Sequence, residues 1–238
     1  MKDPILKQLK SLNNQEKQDL FFDFLSSKTH DLIQIKNKEF KATEYDILNA
    51  FMEADFDIHL KSILGNNHLF FVKSKAAAQL LIQKGANVNV RNKFEETPLF
   101  YAKSKEIAEV LIQHGADVNA RNNIGETPLF EVKSKEIAEV LIQYGADMEV
   151  SSYNGYTALH WNNSQEIIEI LIQHGADMDA KNNKNQIPAE CQRYRKCDDI
   201  ANFIEQKMRE REIKLEQEKL NQTLPHSSQN LNHLKPHI

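Results

Sequence analysis

The chain reads as an all-α solenoid of stacked helix-turn-helix units joined by hairpin-like loops, with a helical cap before the stack and an extended charged helix after it. Two observations predict this. Thr97-Pro98-Leu99-Phe100 returns as Thr127-Pro128-Leu129-Phe130 and as Thr157-Ala158-Leu159-His160, thirty residues apart each time. Ile107 to Gln113 reappears unchanged as Ile137 to Gln143, and Gly115-Ala116-Asp117 is matched by Gly85-Ala86-Asn87, Gly145-Ala146-Asp147 and Gly175-Ala176-Asp177. Self-similarity at a fixed period of roughly twenty to fifty residues marks an array whose units bury their apolar faces only against neighbours.

Taken in chain order, Gln15 to Leu25 forms an amphipathic helix with Leu20, Phe21, Phe24 and Leu25 on one face. An open stack leaves the inner face of its first unit wet, so residues 1–42 are expected to cover it as a helical cap. Residues 43–63 look like an eroded repeat. Thr43 with Asp46 starts a helix, Ile47, Leu48, Phe51 and Met52 make its stripe, and Ala54-Asp55-Phe56-Asp57 echoes Ala116-Asp117-Val118-Asn119. Full units are expected at 64–93, 94–123, 124–153 and 154–183, a capping unit at 184–206, a charged helix at 207–222 and a disordered tail at 223–238.

The unit at 94–123 shows the local logic. Thr97 is placed as a helix N-cap with Pro98 as first helical residue, where its missing N–H costs nothing. Leu99 to Lys103 then makes a short first helix, and Ser104 caps a second, with Glu106 near the positive end of its dipole. Ile107, Ala108, Val110, Leu111 and Ile112 give an apolar stripe broad enough to need neighbours on both sides. Gly115 stands where the helix must end in a left-handed turn, and Ala116 to Glu126 is a polar, turn-rich loop leading to the next Thr-Pro.

Helix, short turn, helix, with Thr-Pro-Leu at the start, Gly-Ala-Asp at the close and a projecting loop between units, resembles the ankyrin repeat over at least residues 64 to 206. The usual ankyrin unit is about thirty-three residues; here three are missing between Ala102 and Ile107, which predicts an abbreviated first helix or turn. The family histidine after Thr-Pro-Leu is present at His160 but replaced by Phe100 and Phe130, so the middle units lack the residue that links hairpins by hydrogen bonding. The last unit begins near Lys184 with Ile187-Pro188-Ala189, and the step from Ile187 to Ile200 restores the three residues. A longer terminal unit would act as a cap.

Composition narrows the function. Lys plus Arg number 30 against 34 Asp plus Glu, a net charge of −4, which does not favour nucleic acid or an anionic membrane. Met1 to Gln18 is polar, no apolar run reaches membrane-spanning length, and a cytoplasmic protein is expected. None of the phosphate-loop, dinucleotide, zinc-protease or nucleophile-elbow patterns occurs, so no enzyme, cofactor or metal is expected. Cys191 and Cys197 read as free thiols; a metal cluster with His174 lacks paired spacing, and His226, His233 and His237 lie in the tail.

Lys73, Lys103 and Lys133 recur at one position and Lys75, Lys105 and Lys135 at another, a ladder read as a solvated face because Glu106, Glu109, Glu136 and Glu139 accompany it. The informative residues are those that vary while the scaffold does not. Loop tips read Lys93-Phe94-Glu96, Asn123-Ile124-Glu126, Tyr153-Asn154-Tyr156 and Asn183-Lys184-Gln186, and the position after the first helical turn reads Phe71, Tyr101, Glu131, Trp161. By resemblance these positions line a concave groove that grips a protein partner. The candidate residues are Phe94, Glu96, Tyr101, Ile124, Glu126, Glu131, Tyr153, Asn154, Tyr156 and Trp161. Exposed aromatics are typical interface anchors, although Trp161 could instead pack inward. The expected function is a non-catalytic, monomeric protein-interaction module; the alternative gives residues 1–42 an activity that the repeats deliver.

Overall fold

The computed structural model describes residues 2–26, 32–35, 38–41, 43–54, 62 and 64–223. Helices α1 (Lys2–Leu9), α2 (Asn14–Ser26) and α3 (Glu44–Glu53) precede the stack, with a short antiparallel hairpin, β1 (Leu32–Ile35) and β2 (Lys38–Lys41), between α2 and α3. The stack follows as α4 (Lys75–Gln83), α5 (Lys105–Gln113), α6 (Lys135–Gln143), α7 (Ala158–Trp161), α8 (Gln165–Gln173), α9 (Pro188–Tyr194) and α10 (Asp198–Thr223). Apart from that hairpin, which the helical reading of the N-terminal segment did not foresee, the described architecture is helical.

The units stack in two rows. In one, α3, α4, α5, α6 and α8 contact one another in sequence; in the other, the short turns at 68–70, 98–101 and 128–130 lead to α7 and then α9. Leu99, Leu129 and Leu159 are buried to 2, 0 and 1% exposure, between the rows as a repeat stack requires. The helices α5 and α6 bury the same positions, Ile107, Ala108, Val110 and Leu111 in the first and Ile137, Ala138, Val140 and Leu141 in the second.

The three-residue deletion has a local consequence. The first helix shrinks to a single 3₁₀ turn at His68–Phe70, Pro98–Tyr101 and Pro128–Phe130, and to four residues in α7. In the last unit, where the residues are restored, α9 runs for seven. Ser74, Ser104 and Ser134 each accept the N–H three residues on, capping α4, α5 and α6 as expected of Ser104. Thr97 and Thr127 behave differently from the capping threonines anticipated. Both sit at the N-cap position in extended conformation, but their hydroxyls cap nothing and have no partner among the described residues.

His160 shows why. Its Nδ1 accepts from the Thr157 N–H at 3.1 Å and lies 2.9 Å from the Thr157 hydroxyl, while Nε2 lies 3.1 Å from the Gln186 carbonyl of the next unit. With Nδ1 accepting, the ring is neutral and donates from Nε2. Burial pushes its pKa down. Phe100 and Phe130 are buried in its place and can offer neither bond, so the threonines are left unpaired.

Ahead of the stack, Ile5 and Leu9 of α1 and Phe21 and Phe24 of α2 are buried. Phe21 meets Phe51 of α3 edge-on at 4.8 Å and His68 at 4.4 Å, and Lys17 donates from Nζ to the Ala54 carbonyl at the end of α3. Thr43 caps α3 by accepting from the Asp46 N–H, and Ile47, Leu48 and Phe51 are fully buried. Asp55, Phe56 and Asp57, with which the sequence reading completed that eroded unit, lie outside the described residues, as does the tail from 224 onward.

At the other end α10 packs Ile200, Ala201 and Ile204 against α9 and α8, and Arg211 reaches back to Asp179 at 2.7 Å. Farther along, Ile213, Leu215 and Leu220 are exposed. Gln192, fully buried in α9, donates from Nε2 to the carbonyls of His160 (3.0 Å) and Asn162 (2.6 Å), tying the terminal unit to the one before it.

Candidate functional site

The loop tips are built by a residue that the sequence reading passed over. Asn92, Asn122 and Asn182 are each about 95% buried, and each uses Oδ1 to accept the N–H groups two and four residues ahead. Ser152 replaces them in the unit at 124–153, where its Oγ accepts from the Tyr156 N–H. The result is a closed turn in every unit, tied backbone to backbone by Asn92 N to Glu96 O, Asn122 N to Glu126 O, Ser152 N to Tyr156 O and Asn182 N to Gln186 O. The signal was present in the sequence as a polar residue at a thirty-residue spacing, but polarity in a loop does not by itself announce burial.

Consecutive tips are joined to one another. Lys93 donates its N–H to the Leu64 carbonyl, Asn123 to Phe94, Tyr153 to Ile124 and Asn183 to Asn154, at 2.8 to 3.1 Å. Between units, Asn89 and Asn119 each clamp the following unit by accepting from the Asp117 or Asp147 N–H and donating to the Gly115 or Gly145 carbonyl. The tips therefore form a continuous, internally satisfied edge on which side chains stand out.

Phe94, Ile124 and Tyr153 are exposed on that edge at 46, 51 and 68%, with Asn154 beside them. Tyr153 lies over the Arg121 guanidinium, at 5.9 Å from the ring centre. Gly125 is the floor beneath: at φ 85°, a Cβ there would come within 3.0 Å of the Tyr153 ring.

Tyr101, Glu131 and Trp161 occupy equivalent positions in three successive units and line a run of recesses. The first, about 340 Å³, is bounded by Glu96, Tyr101, Lys103, Glu131 and Lys133. The second, about 320 Å³, shares Glu131 and Lys133 and extends to Trp161, Ser164 and Arg195. A smaller one of about 170 Å³ shares Arg195 and reaches Tyr156, Lys184 and Tyr194. Trp161 is 40% exposed, and the Arg195 guanidinium lies 4.9 Å from its ring centre while donating to its carbonyl. Its inward-packing alternative therefore does not describe the structure.

Four of the ten candidate residues sit deeper than the rest, Glu126 buried and Glu96, Glu131 and Tyr156 half-buried. Glu126 is 8% exposed, with Oε2 held by Asn122, and burial raises its carboxyl pKa. It was expected to face a partner; instead it serves its own turn, because the loop folds it back over Asn122. Tyr156 is half-buried, edge-on to His160 at 5.8 Å. Glu96 is also engaged, accepting from Asn92 and from the Tyr101 hydroxyl. Burial and that carboxylate push the Tyr101 pKa up to about 12, so Tyr101 is a hydroxyl at any physiological pH.

The lysine ladder meets its own glutamates. The Ser104 hydroxyl, chiefly, holds Glu106 below the usual carboxylate range, with Lys105 and Lys75 adding to it; Glu136 is lowered by its backbone N–H, Ser134, Lys135 and Lys105. Lys105 pairs with Glu109 at 3.7 Å and Lys133 with Glu131 at 3.2 Å. Cys191 is buried beside Asn182 and its thiol is pushed up by burial; Cys197 is half-buried, and both are free. No cluster of three or more potential metal ligands is found among the described residues, and none of their helices is long and apolar enough to cross a membrane.

A family model for ankyrin repeats, in three copies, matches residues 40–122 and 103–182, together more than half of the chain. The chain is an ankyrin-repeat protein. The match begins at residue 40 and so includes α3. No curated protein matches the chain. Ankyrin repeats are in general protein-protein interaction modules and typically non-catalytic.

Proposed function

We propose that this ankyrin-repeat protein, as a cytoplasmic monomer, holds a protein partner across the loop tips and first-turn positions of residues 94–195, as an adaptor, inhibitor or effector rather than as a catalyst. The observation that carries the reading is the chain of recesses with shared walls, in which the lining residues Tyr101, Glu131 and Trp161 differ although their scaffold neighbours Leu99, Leu129 and Leu159 are the same. Side chains that change from unit to unit, at positions the stack leaves exposed, are available for recognition. Residues 1–42 take a structural role in this reading, supported by the burial of Phe21 against Phe51 and His68.

The test replaces Tyr101, Tyr153 and Trp161 together with Ser, leaving half-buried Tyr156 in place so that His160 keeps its packing. Affinity capture from cells with quantitative mass spectrometry is then compared with the unaltered chain. Loss of specific partners from a variant with unchanged circular dichroism is expected. A folded triple variant that retains every partner would reject the assignment.

A further inference from the structure

The tip edge has an electrostatic character opposite to that of the chain. Residues 91–95, 121–125, 151–155 and 181–185 carry Arg91, Lys93, Arg121, Lys181 and Lys184 against Glu95 alone, a surplus of four positive charges on a chain of net charge −4. All five cations are exposed. Glu95 is taken up by Arg91 at 3.6 Å. Arg121 is held in place by the Ser151 carbonyl at 2.6 Å and by the Tyr153 ring, with no carboxylate in ion-pair distance among the described residues. Glu96 and Glu126, which close these turns, hydrogen-bond to the neutral Asn92, Tyr101 and Asn122 and so keep their charge; with them counted the edge still carries a surplus of two positive charges.

Between these cations stand the large apolar side chains. Leu64, Phe94 and Ile124 occupy the same place in three successive tips, 45 to 51% exposed, and in the fourth Tyr153 stands one residue earlier. The scaffold does not require them, because Asn154 fills that place in the fourth unit and its backbone makes the same inter-tip bond. Units stacked at helix-packing distance repeat at about 8–10 Å, so the edge presents apolar knobs in a row with positive charge on either side.

We propose that this edge, through Phe94, Ile124 and Tyr153 flanked by Lys93, Arg121 and Lys184, docks an acidic segment of a protein partner that carries its own apolar side chains. The inference rests on the reading of the tips as part of the partner surface and adds the partner's chemistry. Arg121, held by a backbone carbonyl and a ring, keeps its full charge for a visitor, and ordering it costs little on binding because it is already placed, while Lys93 and Lys184 add exposed charge on either side. Complementary charge steers the encounter and fixes the sign of the partner, while the apolar knobs supply contact area.

The experiment is a peptide-display selection on the full chain with a random library, followed by fluorescence titration of the enriched peptides against two variants. The tip variant carries Phe94→Ser and Ile124→Ser together with Arg121→Gln; the first-turn variant carries Tyr101→Ser and Trp161→Ser. Enriched peptides are expected to be net acidic with interspersed apolar residues, to lose about tenfold or more in affinity on the tip variant, and to weaken as salt rises above 0.1 M, where the Debye length is about 10 Å. Hydrogen exchange confirms that each variant remains stacked. Enrichment of neutral or basic peptides overturns the inference, as does acidic-peptide binding that survives the tip variant. Binding lost only on the first-turn variant overturns it while leaving the proposed function intact. Vesicles containing phosphatidylserine serve as the lipid arm: tip-dependent vesicle binding stronger than that of the selected peptides assigns the edge to a membrane surface and overturns it as well.

Discussion

Thr127→Val and Thr157→Val are the same chemical change at the same place in two repeats, and the structure assigns them different consequences. Thr127 is 1% exposed and its hydroxyl has no partner among the described residues. A buried unsatisfied polar group costs about 1–3 kcal/mol, and a methyl in its place removes that cost while keeping the side-chain shape. Both residues sit in extended backbone, φ −106° at Thr127 and −91° at Thr157, which β-branched valine also favours. Thr157, in contrast, shares a 2.9 Å bond with His160 Nδ1; its loss costs about 1 kcal/mol, softened because the Thr157 N–H still reaches the ring. The two variants should therefore separate by about 2 kcal/mol, with T127V the more stable. For a chain of this size that corresponds to about 4–8 °C in Tm. Because a repeat array can open unit by unit, thermal unfolding should be paired with native-state hydrogen exchange. Protection should rise around residues 128–143 in T127V and fall around residues 158–173 in T157V. If T127V is destabilised as much as T157V, the Thr127 hydroxyl is satisfied and the account of the missing histidine fails.

Gln192→Ala removes the donor that serves the His160 and Asn162 carbonyls, so it should cost about 2–3 kcal/mol, read as early loss of protection in α9 and α10 before the middle units open. Gly155→Ala should cost more than Gly115→Ala: both hold positive φ, worth about 1–2 kcal/mol of strain for alanine, but a Cβ at 155 would also come within 2.7 Å of Asn183 backbone whereas nothing lies within 4 Å at 115. Urea titration separates them, and equal midpoints would refute the crowding argument. His160, its pKa held below the ordinary 6.5 by burial, contributes stability that is complete above pH 6.5 and lost as pH falls toward the folded-state value, since the unfolded chain binds the proton more readily. The slope is at most about 1.4 kcal/mol per pH unit, and comparison with His160→Phe, the residue type of the other units, should abolish that share of it; an unchanged pH profile would show that His160 is not its source.

The candidate surface was partly legible in the residues that break the repeat. Phe94, Ile124, Tyr153 and Trp161 differ between units and are exposed, because a residue that the stack does not use is free both to vary and to face water. Glu126 repeats Glu96 unchanged yet is buried where Glu96 is half-buried, and Arg195, from the terminal unit, covers Trp161. Neither could be read from the repeat, since both depend on where a loop folds back or a later unit passes.

What the sequence determined by itself was the period, the seam leucines, the serine caps and the glycine stops. These follow from local geometry: a helix of given length, apolar on two sides and ended by a left-handed residue, has one way to stack on a copy of itself. It also showed the three-residue deletion and its restoration at Ile187 to Ile200. Only the tertiary structure decided which hydroxyls are paired, that Asn92, Asn122 and Asn182 are buried organisers of the tips, and that Gln192 pins the end of the stack. These are contacts between polar atoms of different turns and units, directional to within tenths of an ångström, and no periodicity of residue types carries that information.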